Sequence, residues 1–230
     1  MFQFSRTILG LVLVTLGHNC FGQTVRLMQS VENSLSHAKS CLDLLQFEEA
    51  YAYAQASAPP SVIKYSVTND LLGTSRIAFD RWEEALDHQV RFEQCGEESA
   101  DLRINFIPKA GFYGHDAMGR AVIRRSVTRW SGNQFRLQLS GYLEVSTQWP
   151  DGSVASSDAV LNATLHEVGH YLGLDDTFKI GHVMSRINRD AAVSQPASEE
   201  VVAIKNLKEE ATAVAEWAES QVGLSAQSPR

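Results

Sequence analysis

The sequence has no excess of basic residues and no basic stripe. Its 20 Lys and Arg stand against 27 Asp and Glu, which gives a formal net charge of −7. Four arginines lie near one another on one stretch of the chain: Arg120, Arg124, Arg125 and Arg129. They lie among apolar residues, and we interpret them as part of an ordinary solvent-exposed face. Because proteins bind nucleic acids by neutralising phosphates with clustered cations, the composition argues against DNA or RNA as a partner.

Long apolar runs are absent except near the start of the chain. Residues 7–17 are apolar but fall short of the roughly 20 residues that a membrane-spanning helix needs. Cys20 and Gly22 are small residues that suit cleavage before Gln23, so we predict a signal peptide over residues 1–22. The mature chain is then secreted, or delivered to the periplasm or cell envelope, without a membrane span. A buried N-terminal helix or an uncleaved anchor is the alternative, and lipoprotein processing at Cys20 fits the preceding residues less well.

Cysteine is scarce, with 3 in the whole chain. Cleavage after Gly22 would leave Cys41 and Cys95. Two cysteines in an exported protein often form a disulfide, which here would tie the N-terminal segment to the main domain. The alternative is a pair of free buried thiols, because free cysteine packs as a small core residue.

Hydrophobic periodicity divides the mature chain into parts. Apolar residues recur at three- and four-residue spacing over residues 24–57, and Pro59 and Pro60 end that pattern. The breaks predict a helical N-terminal segment (23–60), a main domain (61–222) and a flexible tail (223–230). The N-terminal segment is either a removable prosegment or a permanent brace on the main domain.

The main domain mixes strands with helices. Alternating apolar residues predict strands, and helical spacing predicts helices. The predicted strands cover about 63–67, 90–94, 102–106, 121–128 and 135–145, and the predicted helices about 70–87, 157–172 and 198–222. This order predicts an α+β fold, with no internal repeat.

One helix carries the pattern H-E-x-x-H-x-x-G-x-x-D. His166 and His170 stand four positions apart, so both imidazoles can bind one metal ion from the same helix face. Glu167 is close enough to act on a water held there. Gly173 can end the helix in a left-handed turn that brings Asp176 round as a third ligand. Two imidazoles, one carboxylate and an open coordination position are typical of a catalytic zinc site. The alternative is an ordinary core helix whose histidines bind no metal.

The third ligand has rivals in the sequence. Asp175 is adjacent to Asp176, although the spacing favours Asp176. His182 is a further candidate, and the more distant acidic candidates are Glu199 and Glu200. Calcium has no recognisable motif, although Asp151 and Asp158 are of the residue type that binds it in loops.

The motif and its flanks resemble the metzincin metallopeptidases, and among them the matrixins, over about residues 62–207. The similarity includes A-F-D-R-W at 78–82, V-R-F at 90–92 and A-D-L-R-I-N-F at 100–106. It implies a metzincin-like catalytic domain with a twisted mixed β-sheet, an active-site helix and a C-terminal helix. It also implies one catalytic Zn²⁺ held by His166, His170 and Asp176, with Glu167 as the base and Met184 in a Met-turn beneath the metal.

The sequence departs from most matrixins in two respects. The third ligand is usually histidine, and Asp176 matches the snapalysin type instead. The histidines of a structural zinc site are missing except for the remnant Gly114-His115-Asp116, so a second zinc of the family type is not expected.

The resemblance therefore predicts a secreted zinc endopeptidase that acts as a monomer on proteins or peptides. An extended substrate would add to a sheet edge, formed by a strand within 121–148. The alternative function is a secreted, non-catalytic zinc-binding or adhesion protein on the same fold. A partner-binding role of the N-terminal helices is a weaker third possibility.

Overall fold

A computed structural model describes residues 25–70, 72–108, 118–132 and 134–227 of the chain. The predicted signal peptide (1–22) and the Gly114-His115-Asp116 remnant lie outside the described residues. In chain order the helices and strands are α1 (Gln29–Asp43), α2 (Phe47–Ser57), β1 (Val62–Thr68), α3 (Thr74–Ala85), β2 (Arg91–Gln94), β3 (Leu102–Ile107), β4 (Gly119–Ser131), β5 (Gln134–Ser146), α4 (Ser157–Leu172) and α5 (Ser198–Gln227). No helix in the described part of the chain is both long and apolar enough to cross a membrane.

The strands form one mixed sheet in the order β2-β1-β3-β5-β4. Neighbouring strands of this sheet run parallel to each other, except that β4 runs antiparallel to β5. The hairpin of β4 and β5 therefore leaves β4 at one edge of the described sheet. This architecture confirms the predicted α+β fold.

The core lies between the sheet and two helices. Leu102, Ile104 and Phe106 alternate along β3 and are buried, as the period of a strand requires. Trp82 of α3 is fully buried and donates its indole N–H to the carbonyl of Leu165 on α4, at 3.1 Å. This contact holds α4, the helix with the metal motif, against α3.

Polar side chains cap the first turns of two helices. The Asp70 carboxylate accepts hydrogen bonds from the Thr74 and Ser75 amides at 2.8 and 2.9 Å, although the residue next to the start of α3 is Gly73. At the start of α4, Ser156 Oγ accepts from the Ala159 amide at 3.2 Å. Both caps satisfy amides that the first helical turn leaves without partners.

The N-terminal helices pack on the last helix. Apolar residues of α1, α2 and α5 form a second buried cluster, which contains Val31, Leu35, Ala38, Ala54, Ala58, Leu207, Ala211, Val214 and Ala215. Helices α1 and α2, which together form the N-terminal hairpin, also contact β4 through an ion pair between Glu49 and Arg129 at 2.9 Å. The N-terminal segment thus shares a core with the main domain.

Two expectations need correction, and the cysteines follow one of the two alternatives. Helix α5 continues to Gln227, past Gly223 where a tail was predicted, because one glycine costs a helix only about 1 kcal/mol. Cys41 and Cys95 are free, as in the second alternative, although only Cys41 is buried. Arg125 does not lie on a solvated face: it is partly buried and binds backbone carbonyls of two helices.

Candidate metal centre and active site

Helix α4 ends in the turn that the sequence predicts. Gly173 adopts a left-handed conformation with φ 111°, and its N–H bonds to the carbonyl of His170 at 3.0 Å. The Leu174 amide then bonds to the Gly169 carbonyl at 3.0 Å. This closure reverses the chain over the last helical turn, so that Asp176 comes back beside the two histidines.

His166, His170 and Asp176 meet at one point. Asp176 Oδ1 lies 3.1 Å from Nε2 of His166 and 3.5 Å from Nε2 of His170. Among the described residues, this is one of two groups whose potential ligand atoms lie within 4.8 Å of one another. The structure therefore brings together the three predicted ligands, while their role as ligands stays a prediction.

The other ring nitrogens of the histidines are engaged by backbone carbonyls. His166 Nδ1 lies 2.9 Å from the Val183 oxygen, and His170 Nδ1 lies 2.9 Å from the Leu174 oxygen. A carbonyl can only accept a hydrogen bond, so each Nδ1 must carry the proton. In the neutral rings the Nε2 lone pairs are then free and converge beside Asp176, which is the arrangement that metal-binding histidines require.

Burial and neighbouring groups shift the pKa values of all three residues in the cluster. Burial lowers the pKa of His166, but the hydrogen bond to Asp176 and the charges of Glu167 and Asp176 outweigh it, so this pKa lies above its ordinary value. Burial and the nearby His166 lower the pKa of His170. The hydrogen bond from His166 lowers the pKa of Asp176. The carboxylate of Asp176 is thus available in its ionised form next to two nitrogen donors.

Glu167 lies beside the cluster and is almost fully buried, with 4% of its surface exposed. Burial raises the pKa of its carboxyl group from 4.5 to about 7. The backbone of Gly119, at the start of β4, passes directly over this side chain. A Cβ atom on Gly119 would stand 2.7 Å from Cγ and 2.8 Å from Cδ of Glu167, so only glycine leaves room for the carboxylate.

Met184 lies beneath the helix and is fully buried. A Cβ atom on Gly169 would overlap its sulfur, so Gly169 allows the close approach. The buried carboxylate of Glu200, on α5, accepts hydrogen bonds from the Met184 and Val183 amides at 2.8 and 3.3 Å. Since the carbonyl of Val183 orients His166, Glu200 supports that imidazole through the backbone.

The rival third ligands point elsewhere. Asp175 is exposed, and its carboxylate accepts from the Asp176 amide at 2.9 Å. His182 is 4% exposed and faces α5, with Nε2 3.5 Å from Glu199 and Nδ1 3.6 Å from Glu200. Glu199 also pairs with Lys179. None of these four side chains belongs to the cluster that contains His166.

The aspartates that were considered for calcium have other surroundings. The Asp151 carboxylate accepts from Ser153 at 2.9 Å through the backbone amide and from Arg189 at 2.9 Å. Asp158 lies in the first turn of α4. Neither belongs to a candidate metal group of the described residues.

The cluster lies at the bottom of an open cleft of about 610 Å³. The start of edge strand β4 forms one wall, with Gly119, Ala121 and Ile123. The lining also includes Arg186 and Ile187, from the segment after Met184.

The N-terminal segment reaches this region. Leu27 forms an antiparallel β-bridge with Leu174. On either side of it, the Met28 amide donates to the Gly173 carbonyl at 2.8 Å, and the Asp175 amide donates to the Arg26 carbonyl at 2.9 Å. These bonds hold the segment that carries Asp176 from its outer side.

Several residues of the site escaped the sequence reasoning. Gly119 and Arg125 have no local signal, because their roles depend on how β4 crosses α4. Gly169 stands within the motif and could have been singled out as the position that faces the downstream methionine. Glu200 was weighed only as a metal ligand, whereas it binds the backbone around Met184.

The comparisons with known proteins bear on the family of the chain. The family model described as Matrixin matches residues 50–208. Among curated proteins, none matches the chain in sequence. The family match covers more than half of the 230 residues, including the whole sheet and helix α4, and it confirms the predicted resemblance. The chain therefore belongs to the matrixin family of metallopeptidases.

Proposed function

We propose that this matrixin is a secreted zinc endopeptidase in which His166, His170 and Asp176 bind the zinc and Glu167 is the general base. The observation that carries the proposal is the convergence of two Nε2 atoms and one carboxylate oxygen, with Nδ1 of each ring bound to a carbonyl. Nitrogen and carboxylate donors in this number leave one coordination position open, as in catalytic zinc sites.

The donor set fits zinc on chemical grounds. Neutral imidazoles and a carboxylate are ordinary zinc ligands. A zinc ion held there would supply Lewis acidity toward water and toward the peptide carbonyl.

Glu167 acts in the proposal as a proton carrier. Its carboxylate takes the proton of the attacking water and passes it to the leaving amine. Burial against Gly119 keeps this side chain in one place, and burial also raises its pKa toward the working range of a general base.

The substrate is an extended peptide. Edge strand β4 has no strand on its outer side among the described residues, and its first residues line the cleft. A peptide that adds to this edge would run past Gly119 and present one of its carbonyls to the cluster. Ile187 and Arg186 also line the cleft and would contact side chains of the bound peptide.

Residues 25–60 are proposed to remain in the active enzyme as a permanent brace. Arg125 of β4 donates to the Ala56 carbonyl at 3.1 Å and to the Tyr171 carbonyl at 2.6 Å, which ties α2 to the end of α4. Intact-mass measurement of the active secreted species tests this: it should begin near residue 23. An active species that begins after residue 60 would identify the segment as a prosegment.

The proposed function is tested by casein hydrolysis with the purified chain from residue 23 onward. A chelator should abolish hydrolysis, and added zinc should restore it. Hydrolysis that resists complete zinc removal would refute the mechanism. Zinc binding without any hydrolysis would favour the non-catalytic alternative.

Zinc content tests the ligand set. Asp176→Ala should lower bound zinc strongly, whereas Asp175→Ala and His182→Ala should retain it. Retention by Asp176→Ala with loss in either of the other variants would assign the third ligand elsewhere.

A further inference from the structure

A second group of potential metal ligands lies in the N-terminal hairpin, formed by His37, Cys41 and Glu49. Their ligand atoms lie within 4.8 Å of one another. His37 and Cys41 stand four positions apart on α1, so their side chains share one helix face. Glu49 reaches them from the first turn of α2.

Each member of the group is held by other contacts. The two oxygens of Glu49 have different partners: Oε2 accepts from Arg129 at 2.9 Å, while Oε1 faces His37 Nε2 at 3.5 Å. The His37 ring packs edge-on against Tyr53, with 4.2 Å between the ring centroids. Cys41 is 2% exposed and lies in a small apolar cluster with Ala50 and Ala218.

We propose that His37, Cys41 and Glu49 bind a divalent thiophilic metal ion, with zinc as the expected occupant. A thiolate, an imidazole and a carboxylate are all ordinary zinc ligands, and sulfur excludes calcium and magnesium as preferred occupants. The His37 side chain is about half-exposed, so one member of the group is open to solvent.

The geometry agrees with this assignment. Ligand atoms bound at 2.0–2.3 Å to a tetrahedral ion lie roughly 3.5 Å apart. His37 and Glu49 already have that separation, at 3.5 Å. The thiol needs only a small approach from within 4.8 Å.

Metal binding would release the thiol proton of Cys41, and its thiolate and the Glu49 carboxylate would then share one cation. The ion would join α1 to α2 and so stabilise the hairpin that braces the catalytic domain.

Cobalt titration of the full mature chain tests the proposal, because a thiolate bound to Co²⁺ gives a charge-transfer absorption that nitrogen and oxygen ligands do not. The cluster around His166 contains no cysteine. Because that cluster also takes up the ion, the wild-type chain should develop the absorption fully with about two equivalents of Co²⁺ and lose it when excess zinc is added. This readout does not depend on peptidase activity.

The variants assign the ligands. Cys41→Ser should lose the absorption, and the matched control Cys95→Ser should keep it. His37→Gln changes a half-exposed side chain, so it should fold normally and bind Co²⁺ at least tenfold more weakly. If Cys41→Ser fails to fold, His37→Gln decides.

Three outcomes would overturn the proposal. The first is no thiolate absorption in the wild-type chain with excess Co²⁺. The second is an absorption that survives Cys41→Ser or disappears in Cys95→Ser. The third is unchanged Co²⁺ affinity in His37→Gln.

Discussion

Replacing Glu167 by Gln should stabilise the metal-free protein at high pH. Burial raises the pKa of this carboxyl from 4.5 in the unfolded chain to about 7 in the fold, so the folded state prefers the protonated acid. Stability is therefore lost as pH rises from about 4.5 to about 7, and the loss is complete above that window. At about 1.4 kcal/mol per pKa unit, the full displacement corresponds to about 3.5 kcal/mol.

Urea unfolding in the presence of a chelator measures this effect. Between pH 5 and pH 8, the stability difference between Glu167→Gln and wild type should grow by about 2–3 kcal/mol in favour of the variant. Comparing two pH values cancels any pH-independent cost of the buried amide. Glu216→Gln, on the exposed side of α5, is the control and should show no such growth. A pH-independent difference for Glu167→Gln would refute the assigned burial of the carboxylate.

Three other substitutions test the packing around the site. Gly119→Ala should displace Glu167 and lower kcat at least about tenfold with zinc content unchanged, and normal kcat would contradict the close approach. Gly169→Ala should push Met184 from under the helix and lower the free energy of unfolding by about 1–3 kcal/mol; an unchanged urea midpoint would count against that contact. Arg125→Met should cost about 2 kcal/mol in the same assay, because it removes charged hydrogen bonds to two helix ends; a neutral result would mean that those bonds contribute nothing.

Local features of the chain were readable from the sequence. The positions of His166 and His170 follow from helical spacing, and the end of α4 follows from the conformational freedom of Gly173. Strand β3 follows from the alternation of apolar and polar residues. In each case the signal lies within a few residues.

Features that depend on tertiary packing were not readable. Arg125 has the same local context as its exposed neighbours, and only the crossing of β4 over α4 places it at two helix ends. Gly119 meets Glu167 for the same reason. The continuation of α5 past Gly223 shows a further limit, because a single weak helix breaker does not reveal whether the following residues still favour the helix.

The central claim is that Glu167 performs catalysis at a zinc site that does not need it for binding. The most direct test measures bound zinc and casein hydrolysis on the same samples of wild type and Glu167→Gln. We expect equal zinc content and a loss of hydrolysis of at least about a hundredfold in the variant. Hydrolysis at the wild-type rate with glutamine at this position would contradict the account.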